Sequence, residues 1–498
     1  MKNRQYYILL TLIFLVTLSS RLYFELKEHN FTPGAYFVLR NVEYIKKNFI
    51  PLFNDELSYG GRHLIFPPLY YYILAFFNLF LPITLVCKIF PNIFASSLVI
   101  IIYLILYEIT RNKPASLFAS FLSAFIPIFY SQTIYNASIY SFTIPLIFLS
   151  LYFFIKIGEK PKSVLPFLFT IALLRYTHAS IVLLVLGLLF YLLLIYAEYL
   201  KQSRPELEVI LFVTFVVVWS LFISYKEAFL TYGPYVVWQN IPQKILSNYF
   251  SDITLFGAMY QIGILPILFG VFIIYKYIFK EKNRSLYLLI SFVVPLFFLL
   301  WFKLIELKVG LMFLGVILVL LCAQFYKIFF SFIEKTKISK LKWLFNLILF
   351  ILVLFTSVIP SFYYTISRSR DTVTQQEINA LLWIKDNTDE DDVILATIDE
   401  GYLINYFAKR KNVADKNFLL IKDSNQRYND IETIYRTSLK TEAIKLLNKY
   451  SVDYIYFSDR AKNQFNIKKL GFIGDSCFEL VYSDGPEIYK SRCILKQK

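Results

Sequence analysis

Apolar residues fall in long runs, broken by short polar stretches, from Tyr6 to Pro360. The runs are Tyr6–Phe24 and those near 91–109, 115–131, 140–156, 164–178, 179–197, 208–224, 259–278, 285–302, 309–326 and 343–360. A helix needs about 20 mostly apolar residues to cross the hydrocarbon of a bilayer, and most of these runs are close to that length. Residues 68–82 form a twelfth, shorter run bounded by Pro67-Pro68 and Pro82. The pattern predicts a polytopic α-helical membrane protein of about 11–12 spans, in which 68–82 lies at the surface or re-enters. Lys2 and Arg4 precede the first run, and Arg21 and Tyr23 sit where a cleavable leader would carry small residues, so it reads as an uncleaved signal anchor.

Beyond Pro360 the pattern changes to short mixed elements, predicting a small α/β domain. Thr374-Gln375-Gln376-Glu377 is a capping box that opens a helix ending near Asp386. Val393–Thr397 and Asp453–Ser458 read as strands, and Gly401–Arg410 and Thr441–Tyr450 as helices. Cys477 to Cys493 reads as a hairpin turning at Asp484-Gly485. The expected division is a transmembrane domain over 1–365, with a large first outer loop over 25–90, and an extracytoplasmic domain over 366–498.

Composition agrees: 57% of residues are hydrophobic, 17% are charged and mean hydropathy is +0.55, which excludes an ordinary soluble chain. The charge supplies an orientation. Lysines and arginines concentrate in alternate loops, at 111–113, 156–162, 201–204, 276–284 and 327–342, which the positive-inside rule assigns to the cytoplasm. The amino terminus is then cytoplasmic and the tail extracytoplasmic, in a multi-pass cell-membrane protein. The net charge of +16 is divided among loops facing anionic lipid and forms no single stripe, which argues against nucleic acid. Cys87 and Cys322 lie in or beside apolar runs, whereas Cys477 and Cys493 would face each other across the hairpin as a disulfide.

The polar stretch after the first run is the unusual part. It carries Glu25, Glu28, Glu43, Asp55 and Glu56 among aromatics, glycines and prolines. An enzyme moving a sugar off a polyprenyl phosphate needs a carboxylate to activate the acceptor or hold a divalent cation, a cation for the leaving phosphate, and an apolar groove for the lipid. Asp55 and Glu56 are the expected catalytic carboxylates. Lys303, Lys308, Arg40 and Arg62 are the expected donor-phosphate ligands, and Tyr59 and His63 are expected at the acceptor. Asp55 is a candidate ligand of a divalent cation such as Mg or Mn. No Gly-rich loop ending in Lys-Ser/Thr is present, so nucleotide-driven transport is not indicated.

The order Ala35-Tyr36-Phe37-Val38-Leu39-Arg40, Asp55-Glu56-Leu57-Ser58-Tyr59-Gly60-Gly61-Arg62 and Pro67-Pro68-Leu69 resembles the first outer loop of GT-C glycosyltransferases, especially archaeal relatives of the oligosaccharyltransferase catalytic subunit. In the tail, Trp383–Thr388, Thr397–Tyr402 and Lys409–Asp415 follow the same order as that family's outer domain. The resemblance covers roughly 1–160 and 370–460. It implies a GT-C-like membrane fold, a polyprenyl-phosphate-linked sugar as partner, Lys308 at a phosphate-binding position, Asp399 at the acceptor and Asp252, in the loop 225–258, near an acidic position of the family and so a second candidate metal ligand. The departures are specific. Gly34 replaces an Asp and Val38 a His, and Ser131–Tyr140 lacks the usual acidic pair. Thr397-Ile398-Asp399-Glu400-Gly401 keeps only Asp399 and Gly401 of the Trp-Trp-Asp-Tyr-Gly motif. The family's metal site and sequon reading do not carry over.

The expected function is therefore transfer of a sugar from a polyprenyl-phosphate-linked donor to a lipid-linked glycan, a surface polymer or a protein. The alternatives are a non-catalytic relative that binds a lipid-linked glycan or a partner membrane protein, and a lipid carrier or flippase. The last would need ionisable residues within the spans.

Overall fold

The structure, a computed structural model, describes residues 3–250, 253–474 and 476–494. Asp252, expected near a metal, lies outside the described residues. The chain forms two compact units. A helical unit comprises Met1–His29, Pro67–Ser224 and Asn248–Arg370; a sheet unit comprises Asn30–Phe66, Tyr225–Ser247 and Asp371–Lys498.

In the helical unit, among the described residues, seven helices are long and apolar enough to cross a membrane, or up to nine if each of two bent pairs is one span. Helices are the natural solution because hydrocarbon offers no partner for backbone N–H and C=O groups. One bent pair, Lys113–Ala124 with Pro127–Thr133, turns by 45° just before Pro127. The other, Leu255–Ile262 with Ile264–Phe279, turns by 93° at Gly263, whose φ of +104° suits glycine. The remaining two apolar runs are shorter helices, Val164–Arg175 of 12 residues and Ile181–Ala197 of 17. Leu69–Phe77 has only nine residues. At 1.5 Å per residue it is less than half the roughly 30 Å of hydrocarbon, so 68–82 does not span. Leu307–Glu334 is the central helix, buried on nearly every side, with Val316, Val319, Leu320 and Leu321 in the core.

The sheet unit contains a two-strand ladder, β1 (Asn54–Asp55) with β2 (Arg62–His63), and a five-stranded sheet. The latter comprises β3 (Val393–Leu395), β4 (Lys411–Asn412), β5 (Tyr454–Phe457), β6 (Phe478–Tyr482) and β7 (Glu487–Ser491), in the order β4-β3-β5-β7-β6. The first three strands are parallel and the last two pair antiparallel. The expected capping box is present: Thr374 caps Gln375–Asn387, and the Glu377 side chain accepts from the Thr374 N–H. β6 and β7 form the expected hairpin, with Gly485 at φ +91° in its turn. Cys477 and Cys493 are joined by a disulfide, with Cα atoms 5.0 Å apart.

The last change of unit falls between Arg370 and Asp371, and the polar stretch after the first helix groups with the residues beyond it. Residues 30–66 belong to the sheet unit. Ala35–Asn48 forms an amphipathic helix there, and Tyr59 is buried in the same core as Leu395, Val413 and Ile455. The composition of that stretch is polar, yet its aromatic and aliphatic residues are spaced to meet a surface supplied more than 300 positions later. Only the folded chain supplies that surface.

Candidate active site

Two clusters of charged side chains stand out, one in each unit. In the helical unit, Arg21 and Glu25 lie four apart on the first helix, so they share a face. Both are about 1% exposed, so their charges depend on internal partners. Arg21 Nε donates to Asn92 Oδ1 at 2.9 Å, and its Nη2 donates to the Thr133 hydroxyl at 2.5 Å. The guanidinium also lies 5.0 Å from the Tyr130 ring centroid, within cation–π range. Glu25 Oε2 accepts from the Tyr135 N–H at 2.8 Å and from Asn92 Nδ2 at 3.2 Å.

Glu25 Oε1 is different. It is shielded from solvent and has no hydrogen-bond partner. An orphaned buried carboxylate oxygen costs free energy and calls for an explanation. It lies beside a strained turn: Tyr135 and Ala137 have φ of 62° and 43°. Each left-handed non-glycine residue costs roughly 1–2 kcal/mol. The turn is held by Glu25 from one side and by Tyr70 from the other; the Tyr70 hydroxyl donates to the Ala137 carbonyl at 2.9 Å. The stretch 131–140, which has no acid in its own sequence, thus receives one from the first helix. Sequence reading placed Glu25 among five loop acids without singling it out. The available signal was an acid four residues after an arginine at the end of an apolar run.

In the sheet unit, Arg40 grips Asp55 bidentately: Nη1 donates to Oδ2 at 2.8 Å and Nη2 to Oδ1 at 2.6 Å. The N–H groups of Leu57 and Ser58 also donate to Oδ1, at 3.1 and 3.2 Å. Asp55 is 2% exposed, and both of its oxygens are engaged. Arg62 is held by Asp415, Nη2 to Oδ1 at 3.0 Å, and also donates to the Asn417 carbonyl. Ser58 Oγ donates to Asp415 Oδ2 at 2.5 Å, and the Tyr59 hydroxyl donates to the Asp415 carbonyl at 2.7 Å. Burial raises the Tyr59 phenol well above its usual pKa, so it remains a donor. Gly60 and Gly61, at φ +76° and +120°, carry the chain from Tyr59 back into β2.

The expected site residues are therefore sorted by partner. Asp55 pairs with Arg40, and Arg62 with Asp415. Glu56 is exposed. Tyr59 is buried in the sheet-unit core. His63 is exposed, with Nδ1 2.8 Å from Asn54 Oδ1. Asp399 is exposed and pairs with Lys416 at 2.9 Å. Lys308, in the first turn of Leu307–Glu334, and Lys303 make no ion pair among the described residues; Lys303 Nζ lies 5.8 Å from the Phe250 ring centroid. Among the described residues no group of three His, Cys, Asp or Glu side chains is placed to hold a metal. The expected divalent cation has no such donor set there.

Glu400, in the segment that keeps only Asp399 and Gly401 of the family motif, is fully buried. It accepts from Thr397 Oγ1 at 2.7 Å and from the Ser458 hydroxyl. Burial raises its pKa from 4.5 to about 7, against the opposing effect of those two hydrogen bonds. The folded unit thus binds a proton that the unfolded chain has released between about pH 4.5 and 7, so stability falls as pH rises through that window. The stabilisation, on the order of 3 kcal/mol, is fully present below pH 4.5 and lost above pH 7. Thermal melts of the full chain in detergent are expected to show this slope, and Glu400→Gln to flatten it.

No protein-family model matches the sequence, and no curated protein matches it. Solved structures do match in fold. The likeness is one of fold: a largely helical chain with a carboxy-terminal part containing a sheet. The chain is similar to the Archaeoglobus fulgidus oligosaccharyltransferase AglB in complex with an inhibitory peptide and a dolichol-phosphate. The TM-score is 0.73 at 14% identity, covering 91% of this chain and 69% of that one. ArnT from Cupriavidus metallidurans bound to undecaprenyl phosphate aligns with a TM-score of 0.54 at 10% identity over 98% of both chains. The mycobacterial arabinofuranosyltransferase AftD aligns with a TM-score of 0.53 at 9% identity, covering 99% of this chain and 40% of that one.

Proposed function

We propose that this protein is a membrane glycosyltransferase that moves a sugar from a polyprenyl-phosphate-linked donor to a hydroxyl of a lipid-linked glycan or surface polymer. The observation that carries this reading is the unpaired oxygen of Glu25, a buried carboxylate held in a membrane helix bundle of GT-C fold. In this reading Glu25 Oε1 takes the proton of the acceptor hydroxyl as that oxygen attacks the anomeric carbon. The bond from that carbon to the phosphate oxygen breaks, and polyprenyl phosphate leaves with the electron pair. Lys308 and Lys303, which make no ion pair among the described residues, are the proposed ligands of the departing phosphate. Arg40 and Arg62 are assigned to architecture, because each is already neutralised by an aspartate. Entry of the acceptor requires the 134–138 turn to move off Glu25, and its left-handed residues supply a strained, releasable conformation.

The sequence expectation that Asp55 and Glu56 perform the chemistry is the competing assignment within the same function. The non-catalytic reading is favoured by the acids missing at Gly34 and over 131–140. Mass spectrometry of polyprenyl-linked and surface glycans from intact and gene-deleted cells tests the function itself. Loss of one sugar with accumulation of the shorter glycan is the expected result. Unchanged glycans in the deletion strain would remove the transferase reading.

A further inference from the structure

A hollow of about 460 Å3 lies where the helix Tyr140–Ile157 ends and Val164–Arg175 begins. Its walls are Tyr152, Phe153, Pro161 and Pro166, and its polar groups are Lys156, Lys160, Lys162 and Ser163. No acidic residue lines it. The nearest acid in sequence, Glu159, faces Arg111 at 3.3 Å and is neutralised there. Lys156 Nζ donates to the Tyr152 hydroxyl at 2.5 Å and sits 4.5 Å from that ring's centroid. It is thus positioned by an aromatic group and keeps its charge unpaired. Lys160 and Lys162 make no ion pair among the described residues, and Ser163, at the N-cap position of Val164–Arg175, makes no side-chain cap bond.

This place is separate from the Glu25 cluster. The turn at 134–138 precedes the amino end of Tyr140–Ile157, and the hollow is at its carboxyl end. At 1.5 Å per residue, an 18-residue helix sets them about 27 Å apart, close to the thickness of a hydrocarbon core. Three unpaired ammonium groups and a hydroxyl over an aromatic, proline-lined wall form a complement to a phosphate attached to a hydrocarbon chain.

We propose that this hollow binds the phosphate headgroup of an anionic membrane lipid, at the membrane face opposite the Glu25 cluster. Lys156, Lys160 and Lys162 contact the phosphate, and the acyl chains run along Tyr152, Phe153 and Pro166. This site does not depend on the transferase reading, since it needs no reaction at the other face.

The test is native mass spectrometry of the full chain, delipidated in detergent and titrated with dioleoylphosphatidylglycerol, dioleoylphosphatidylcholine or inorganic phosphate. Wild type is expected to retain phosphatidylglycerol and not phosphatidylcholine. Near a membrane each lysine contributes roughly 1 kcal/mol, so Lys156→Gln/Lys160→Gln/Lys162→Gln together should weaken phosphatidylglycerol binding by roughly 100-fold. Lys335→Gln/Lys337→Gln/Lys340→Gln, in another basic loop, should leave it unchanged; a melting temperature within a few degrees of wild type confirms that each variant is folded. Equal weakening by the two triple variants would mean diffuse surface attraction and would overturn the proposal. So would displacement of the lipid by millimolar inorganic phosphate, which would identify a site for free phosphate.

Discussion

Replacing Glu25 by Gln is expected to abolish sugar transfer while the protein still folds. The amide preserves shape and can still accept from Tyr135 N–H and Asn92, but it cannot take a proton. Removing a general base lowers rate by roughly 100- to 10,000-fold. Asp55→Asn should behave differently. Asp55 neutralises Arg40 from a nearly solvent-free position, and breaking a buried pair from one side costs roughly 3–5 kcal/mol. The expected result is a lowered melting temperature and reduced protein level, with the transfer rate per folded molecule close to wild type. Glycan mass spectrometry normalised to folded protein separates the two. If Asp55→Asn melts like wild type yet transfers nothing, Asp55 is the catalytic carboxylate and the Glu25 assignment fails. If Glu25→Gln transfers at full rate, the buried oxygen has no part in the chemistry.

Asp415→Ala is expected to be the most destabilising single substitution in the sheet unit. Asp415 receives the Arg62 guanidinium at 3.0 Å, the Ser58 hydroxyl at 2.5 Å and the Asn417 N–H at 2.9 Å. Its removal strands Arg62, 2% exposed, beside Tyr59, whose ring centroid is 4.8 Å from the guanidinium. Leaving one buried charge unpaired costs roughly 3–5 kcal/mol. The damage should spread to Gly401, since a Cβ there would meet the Ala414 carbonyl at 2.3 Å, showing how closely the two segments approach. Hydrogen exchange should show lost protection over 54–63 and 401–417 together. Loss confined to 411–417 would mean that the clamp is not what holds residues 54–63 in place.

Much of this fold is legible in the sequence, because its strongest signals are local. A bilayer demands long apolar helices, so the runs from Tyr6 to Pro360 mark where helices form, although those over 164–178 and 179–197 fold into helices of only 12 and 17 residues. The capping box at Thr374, the strands at Val393 and Tyr454 and the hairpin from Cys477 to Cys493 are read from neighbours within a few positions. The placement of residues 30–66 is not local. Tyr59 and Asp55 look like parts of a wet loop until Asp415, Asn412 and the core around Leu395 come into contact with that segment. Glu25 looks like an ordinary acid at the end of a span until folding brings Tyr135, from a stretch without acids, to one of its oxygens and leaves the other unpaired. Hydropathy and periodicity determined which segments are helices and strands. Which carboxylates are neutralised and which is left open was decided only by tertiary structure, because charge pairing depends on distances between residues tens to hundreds of positions apart.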